Sequence, residues 1–128
     1  MKLKVGKVEM KDVNLLKTHG VDIESALEIL GDMEMYDETL NDFLEVSEER
    51  MPRLENAKNN GDMANYAIDV HALKSDSKYL GFTKLAEMAL NHQLKSEEND
   101  TNYINTHYDE LIIEASKIIN VVKEYLHS

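Results

Sequence analysis

Apolar residues recur at three- and four-residue intervals along most of the chain, the spacing of one face of an α-helix, and short polar or glycine-bearing breaks cut the pattern into segments. From Lys11 to Thr18 the pattern is weak, and it stops at His19-Gly20. Asp22 is placed to cap a short helix over Ile23 to Leu30, with Gly31 as its stop. Asp32 opens a long segment from Met33 to about Asn60, where Met33, Tyr36, Leu40, Phe43 and Leu44 share one face. Pro52 lies inside it and predicts a kink or a split near Arg50–Met51. After Asn59-Asn60-Gly61, Asp62 caps a helix from Met63 to Leu80 that Gly81 ends. Thr83 is the expected cap of a helix from Lys84 to about Glu97. A last helix is expected from Asn102 to about Leu126, with Tyr103, Leu111, Ile112, Ala115, Ile118, Ile119, Val122 and Leu126 inward.

Four long helices joined by short breaks predict an all-α fold, an antiparallel four-helix bundle with a short N-terminal helical cover. Residues 1–20 read as an N-terminal extension with a weak helix, and residues 21–128 as the bundle domain. The repeated Gly and Asn-Gly stops exclude one continuous coiled coil. Within 128 residues, 42% hydrophobic and 30% charged, a single domain can bury a real core. There is no cysteine, so disulfides and cysteine–zinc sites are excluded. No run reaches the roughly 20 apolar residues of a membrane span. Met1 to Lys7 is basic without the apolar stretch of a secretory signal, so the cytoplasm is the expected location and no membrane partner is expected.

A net charge of −11 disfavours nucleic acid, which selects a basic footprint. The charge is uneven. Residues 71–95 carry Lys74, Lys78, Lys84 and Lys95 against only Asp76 and Glu87. That locally basic stretch opens with His71. At 100° per residue, Met63, Tyr66, Val70, Leu73, Ser77 and Leu80 form the core-facing arc, and His71 points well away from it. Ala64, Ala67, Ser75 and Lys78 lie within about 40° of His71, and Lys74 about 60° off. Small residues one turn to either side leave room for another protein's surface. A lysine ammonium nearby can stabilise transferred phosphoryl oxygens, and neutral imidazole is a nucleophile. Taken singly, the histidine, the lysines and the small residues each fit an ordinary solvated helix; their coincidence on one stripe points to a phosphoryl carrier.

The run His71-Ala72-Leu73-Lys74-Ser75-Asp76-Ser77-Lys78-Tyr79-Leu80-Gly81 also resembles the motif His-x-Leu-Lys-Gly-x-(Ser/Ala)-x-x-Leu-Gly of histidine-containing phosphotransfer (HPt) domains of two-component phosphorelays. His71, Leu73, Lys74, Ser77, Leu80 and Gly81 match it in register, and Ser75 departs from the motif's glycine. The likeness extends to Gly20–Gly31, to Tyr36–Leu54 and to the Asn60-Gly61-Asp62 turn. It implies that His71 is the phospho-acceptor, Lys74 its electrostatic helper and Gln93 a residue beside the imidazole. His71 lies ten residues before Gly81 and Gln93 twelve after it, so on antiparallel neighbours both stand roughly 15–18 Å from the turn. Gln93 can equally be a solvated surface amide. His92 lies on the line of Leu85, Met88 and Ala89 and is expected to be a partly buried structural histidine, with a second acceptor as the alternative.

The resemblance implies receiver domains of response regulators or hybrid histidine kinases as partners. Docking is expected around Ala64, Ala67, Ile68, Ser75, Lys78 and Tyr79. Magnesium is expected to be bound by the receiver, leaving this chain without a cofactor or metal of its own. No Gly-rich phosphate loop is present, so no ATP site is expected, and a monomer is the expected state. A ferritin-like di-metal bundle needs Glu-x-x-His pairs on two helices, which the chain lacks. His19, His107 and His127 sit in no motif, and the cluster Glu97-Glu98-Asn99-Asp100 reads as a solvated loop. Two other readings stay open: a non-catalytic helical adaptor for receiver or kinase domains, and an unrelated four-helix scaffold.

Overall fold

The computed structural model describes residues 11–128, so the expectations for Met1–Lys7 lie outside the described residues. Among the described residues six helices follow in chain order: α1 (Val13–Thr18), α2 (Ile23–Leu30), α3 (Met33–Asn59), α4 (Met63–Leu80), α5 (Thr83–Glu97) and α6 (Thr101–Leu126). Among the described residues there is no strand, only one antiparallel bridge between Val21 and Phe82. The fold is an all-α bundle.

Aspartates start five of these helices. The carboxylates of Asp12, Asp22, Asp32, Asp62 and Asp100 accept from the backbone N–H of Asn14, Ser25, Met35, Asn65 and Tyr103. Each satisfies a donor that the first helical turn leaves without a partner. Asp100, expected in a solvated loop, is therefore the cap of α6, which starts one residue earlier than its pattern suggested. Thr83 is not a cap: α5 begins on it, after Phe82, without a side-chain cap bond. Buried Phe82 anchors that end by packing instead, edge-on to Phe43 with ring centroids 5.3 Å apart.

Pro52 does not split α3, which runs unbroken through it for 27 residues. Proline forfeits only its own N–H bond, to the carbonyl of Glu48, and both residues lie on the solvent side where water can take the carbonyl. Arg50, Leu54 and Ala57 on the other side are buried and hold the helix to its neighbours. On α6 the buried set is Ile104, Tyr108, Leu111, Glu114, Ala115, Ile118, Val121, Val122 and Tyr125. The expected Tyr103, Ile112, Ile119 and Leu126 lie half-buried at its border. The inward stripe is broader than the pattern indicated because α6 packs against α1, α3 and α5.

Contacts between the long helices run with numbers rising on one as they fall on the next. Arg50 meets Asp76 and Arg53 meets Asp69 across α3 and α4. Lys84 meets Glu114 and Lys95 lies over Tyr103 across α5 and α6. Tyr125 donates to Asp37 and Lys58 lies over Tyr108 across α3 and α6.

The most extensive pairing is α4 with α5, and its turn is fastened from two sides. Tyr36 Oη donates to the Leu80 carbonyl at 2.8 Å, and the Asp22 N–H donates to the Gly81 carbonyl at 2.8 Å. Gly81 has φ +84°, and a Cβ there would lie 2.3 Å from the Asp22 carbonyl oxygen. Only glycine satisfies both the left-handed conformation and the close backbone approach. At the far end of the pair, Tyr66 Oη lies 2.9 Å from His92 Nδ1, and both side chains are buried. Burial, and then the neighbouring charge of His107, lower the His92 pKa from 6.5 to about 4, while burial raises that of Tyr66. The tyrosine is therefore the donor and the imidazole the neutral acceptor.

Two outcomes follow for stability. Gly81→Ala is expected to cost at least about 2 kcal/mol, since the left-handed conformation alone costs roughly 1–2 kcal/mol and the collision with Asp22 adds to it; denaturant titration measures this. His92 binds its proton at lower pH when folded than when unfolded. Its stabilisation is full above pH 6.5 and is lost as pH falls towards 4, by about 3 kcal/mol in total. Denaturation midpoints between pH 7 and 4.5 should fall more steeply for the wild type than for His92→Phe. Parallel curves would contradict the buried neutral imidazole.

Candidate functional site

The fastened α4–α5 pair sets which side chains stand opposite one another. Its six predicted inward positions on α4 are all buried: Met63, Tyr66, Val70, Leu73, Ser77 and Leu80. His71 is consequently on the outer surface and exposed. Gln93 stands beside it on α5, with Oε1 3.1 Å from His71 Nδ1. The other end of the same amide, Nε2, donates to Glu97 Oε2 at 3.1 Å. An amide oxygen only accepts, so the His71 nitrogen facing it carries the proton, and the Nε2 lone pair points to solvent. A neutral imidazole in that tautomer presents a nucleophilic nitrogen outward.

Lys74 and Lys78 follow His71 at one and two turns. They line a shallow groove of about 490 Å³ with Asp22, Ser25 and Ile29 of the α2 end and Ala86, Glu87 and Leu90 of α5. Among the described residues neither lysine is paired with a carboxylate. Both ammonium groups are thus free to meet an anion. Ala67 and Ser75, one turn to either side of His71, are partly covered, and Ala64 is exposed. The serine in place of the motif's glycine therefore sits at the surface, where its hydroxyl takes space beside the imidazole and does not disturb the core.

Apolar side chains flank the histidine on both sides. Ile68 is 65% exposed on the α3 side. On the α5 side Leu90 and Leu94 are exposed, and Ile29 of α2 lies beyond them. Leu90, Leu94 and Ile29 were not singled out from the sequence, although Leu90 and Leu94 lie off the inward line of Leu85, Ala89, His92 and Ser96. Tyr79 is exposed but turns to a separate groove with Leu30, Phe43 and Val46. His92, 2% exposed with Nδ1 taken by Tyr66, has no nitrogen open to a phosphoryl donor. Among the described residues no group of His, Asp and Glu side chains is arranged to hold a metal ion, and no helix is long and apolar enough to cross a membrane.

The family model for the Hpt domain matches residues 38–117, from the second turn of α3 to the middle of α6, and so spans His71, Lys74 and Gln93. Comparisons with curated proteins and with solved structures gave no match. The matched region is well over half of the chain and contains the exposed histidine together with the helices that place it; the chain belongs to the Hpt domain family, whose members act in histidine phosphotransfer within two-component phosphorelays.

Proposed function

We propose that this chain is a phosphorelay intermediate that accepts a phosphoryl group on His71 from a receiver-domain aspartate and passes it to another receiver. The observation that supports this most is the exposed imidazole with Nδ1 against the Gln93 oxygen. His71 Nε2 attacks phosphorus in line. The N–P bond forms as the P–O bond to the aspartyl carboxylate breaks, and the carboxylate leaves with the bonding pair. The Nδ1 proton stays in place and shares the new positive charge of the ring with Gln93 Oε1. Return transfer is the same step reversed. It requires no proton to leave the ring, which suits a carrier that works in both directions.

Lys74 stabilises the phosphoryl oxygens as charge spreads over them, and Lys78 adds to the field. Magnesium belongs to the receiver in this reading. Docking uses the surface around the histidine: Ala64, Ala67, Ile68 and Ser75 on α4, with Lys78 at its lower edge and Tyr79 beyond it, where the neighbouring groove with Leu30, Phe43 and Val46 begins. Exposed Leu90 and Leu94 extend this apolar frame on α5. An apolar frame around a basic centre fits a partner whose acidic phosphorylation pocket is rimmed by apolar side chains.

Incubation with a phosphorylated receiver domain tests the proposal. The wild type should gain acid-labile, base-stable label, His71→Ala none, and Lys74→Ala should be labelled about tenfold more slowly, below the range of a fully enclosed charge stabiliser because the lysine is partly solvated. Label that persists in His71→Ala would move the acceptor elsewhere.

A further inference from the structure

We infer that Glu97 is a positioning residue for phosphotransfer: its carboxylate fixes the orientation of the Gln93 amide and, through it, the reactive tautomer of His71. The inference rests on the proposed role of His71. The three side chains form one chain of contacts, His71 Nδ1 to Gln93 Oε1 at 3.1 Å and Gln93 Nε2 to Glu97 Oε2 at 3.1 Å.

A glutamine amide has two faces of opposite hydrogen-bonding sense, and rotating it by half a turn exchanges them. With nitrogen towards His71 it would donate to Nδ1 and drive the ring proton to Nε2, the exposed position. The outward nitrogen would then have no lone pair with which to attack phosphorus. Nothing in the His71–Gln93 pair by itself selects between the two arrangements, because either one makes a single satisfactory hydrogen bond. Glu97 does select. An ionised carboxylate only accepts, so it binds the amide nitrogen and repels the amide oxygen. Among the described residues no cation pairs with Glu97, which leaves its charge directed at the amide. Glu97 is the last residue of α5, four after Gln93 and so on the same face.

The sign of the effect separates positioning from simple electrostatics. A negative charge near the acceptor repels an incoming phosphoryl group, so on charge alone its removal or reversal should speed transfer. Positioning demands the opposite. In Glu97→Lys the ammonium donates to the amide oxygen and turns the amide nitrogen towards His71.

The experiment compares wild type, Glu97→Gln and Glu97→Lys by rate of labelling from a phosphorylated receiver and by the ¹⁵N shifts of the His71 ring. Transfer should slow about tenfold in Glu97→Lys and about two- to threefold in Glu97→Gln, which keeps an acceptor oxygen. The Nδ1–H tautomer, dominant in the wild type, should give way to Nε2–H in Glu97→Lys. Faster transfer in Glu97→Lys, or an unchanged tautomer, overturns the inference. If the wild type takes no label at all, the relay reading fails by itself. The ring shifts then still decide whether Glu97 sets the tautomer.

Discussion

The register between α4 and α5 is the constraint on which the site depends. Imidazole and amide meet only if the two helices are held within a fraction of a turn, since a slide of one residue moves a side chain about 1.5 Å along the axis and 100° around it. Two features far apart hold that register. At the turn, Gly81 lets the backbone of Asp22 pass so close that no side chain fits, and Tyr36 ties the Leu80 carbonyl from α3. Towards the other end, the buried bond between Tyr66 and His92 ties the arms together. His71 and Gln93 are the surface residues that follow Tyr66 and His92 in sequence, by five positions and by one. The contact proposed to be functional is thus set beside a structural one.

Polar groups buried between helices serve the rest of the bundle similarly. Arg50 is almost completely buried, with one guanidinium nitrogen on Asp76 and two others unpartnered. Glu114 lies buried between Lys84 and Lys117. Such groups add little net stability, because desolvation offsets the attraction of the charges, but a slipped register would bury them unpaired. A hydrocarbon core of similar volume would tolerate sliding far better. In the proposed relay, placing His71 on a helix restrained in this way keeps the Nε2 lone pair aimed while partners come and go.

Much of this was legible in the chain because it is local. Asp22, Asp32 and Asp62 announce helix starts, Gly31 and Gly81 announce stops, and the apolar period of α4 gave its inward face correctly at all six positions. The level of Gln93 also followed from counting along two helices from their turn. What escaped was decided by partners distant in sequence. Burial of Arg50, Asp69 and Glu114 depends on which helices flank them, and the intact α3 depends on Pro52 facing water. Asp100 was hidden because an acidic run looks the same whether its last member caps a helix or not. Glu97 lay in that same run, and its link to Gln93 becomes visible only once Gln93 is known to face His71.

Surface charge is distributed to match. Among the described residues Lys74 and Lys78, on the stripe of His71, are unpaired with carboxylates, so in the proposed relay an anionic phosphoryl group has a basic approach to the acceptor. The central claim is that this approach ends at a single ring nitrogen. Phosphorus–nitrogen coupling in the ¹⁵N-labelled, phosphorylated protein identifies that nitrogen. The account predicts phosphorus on Nε2 of His71, with the proton retained on Nδ1 against Gln93; phosphorus on Nδ1 would contradict it.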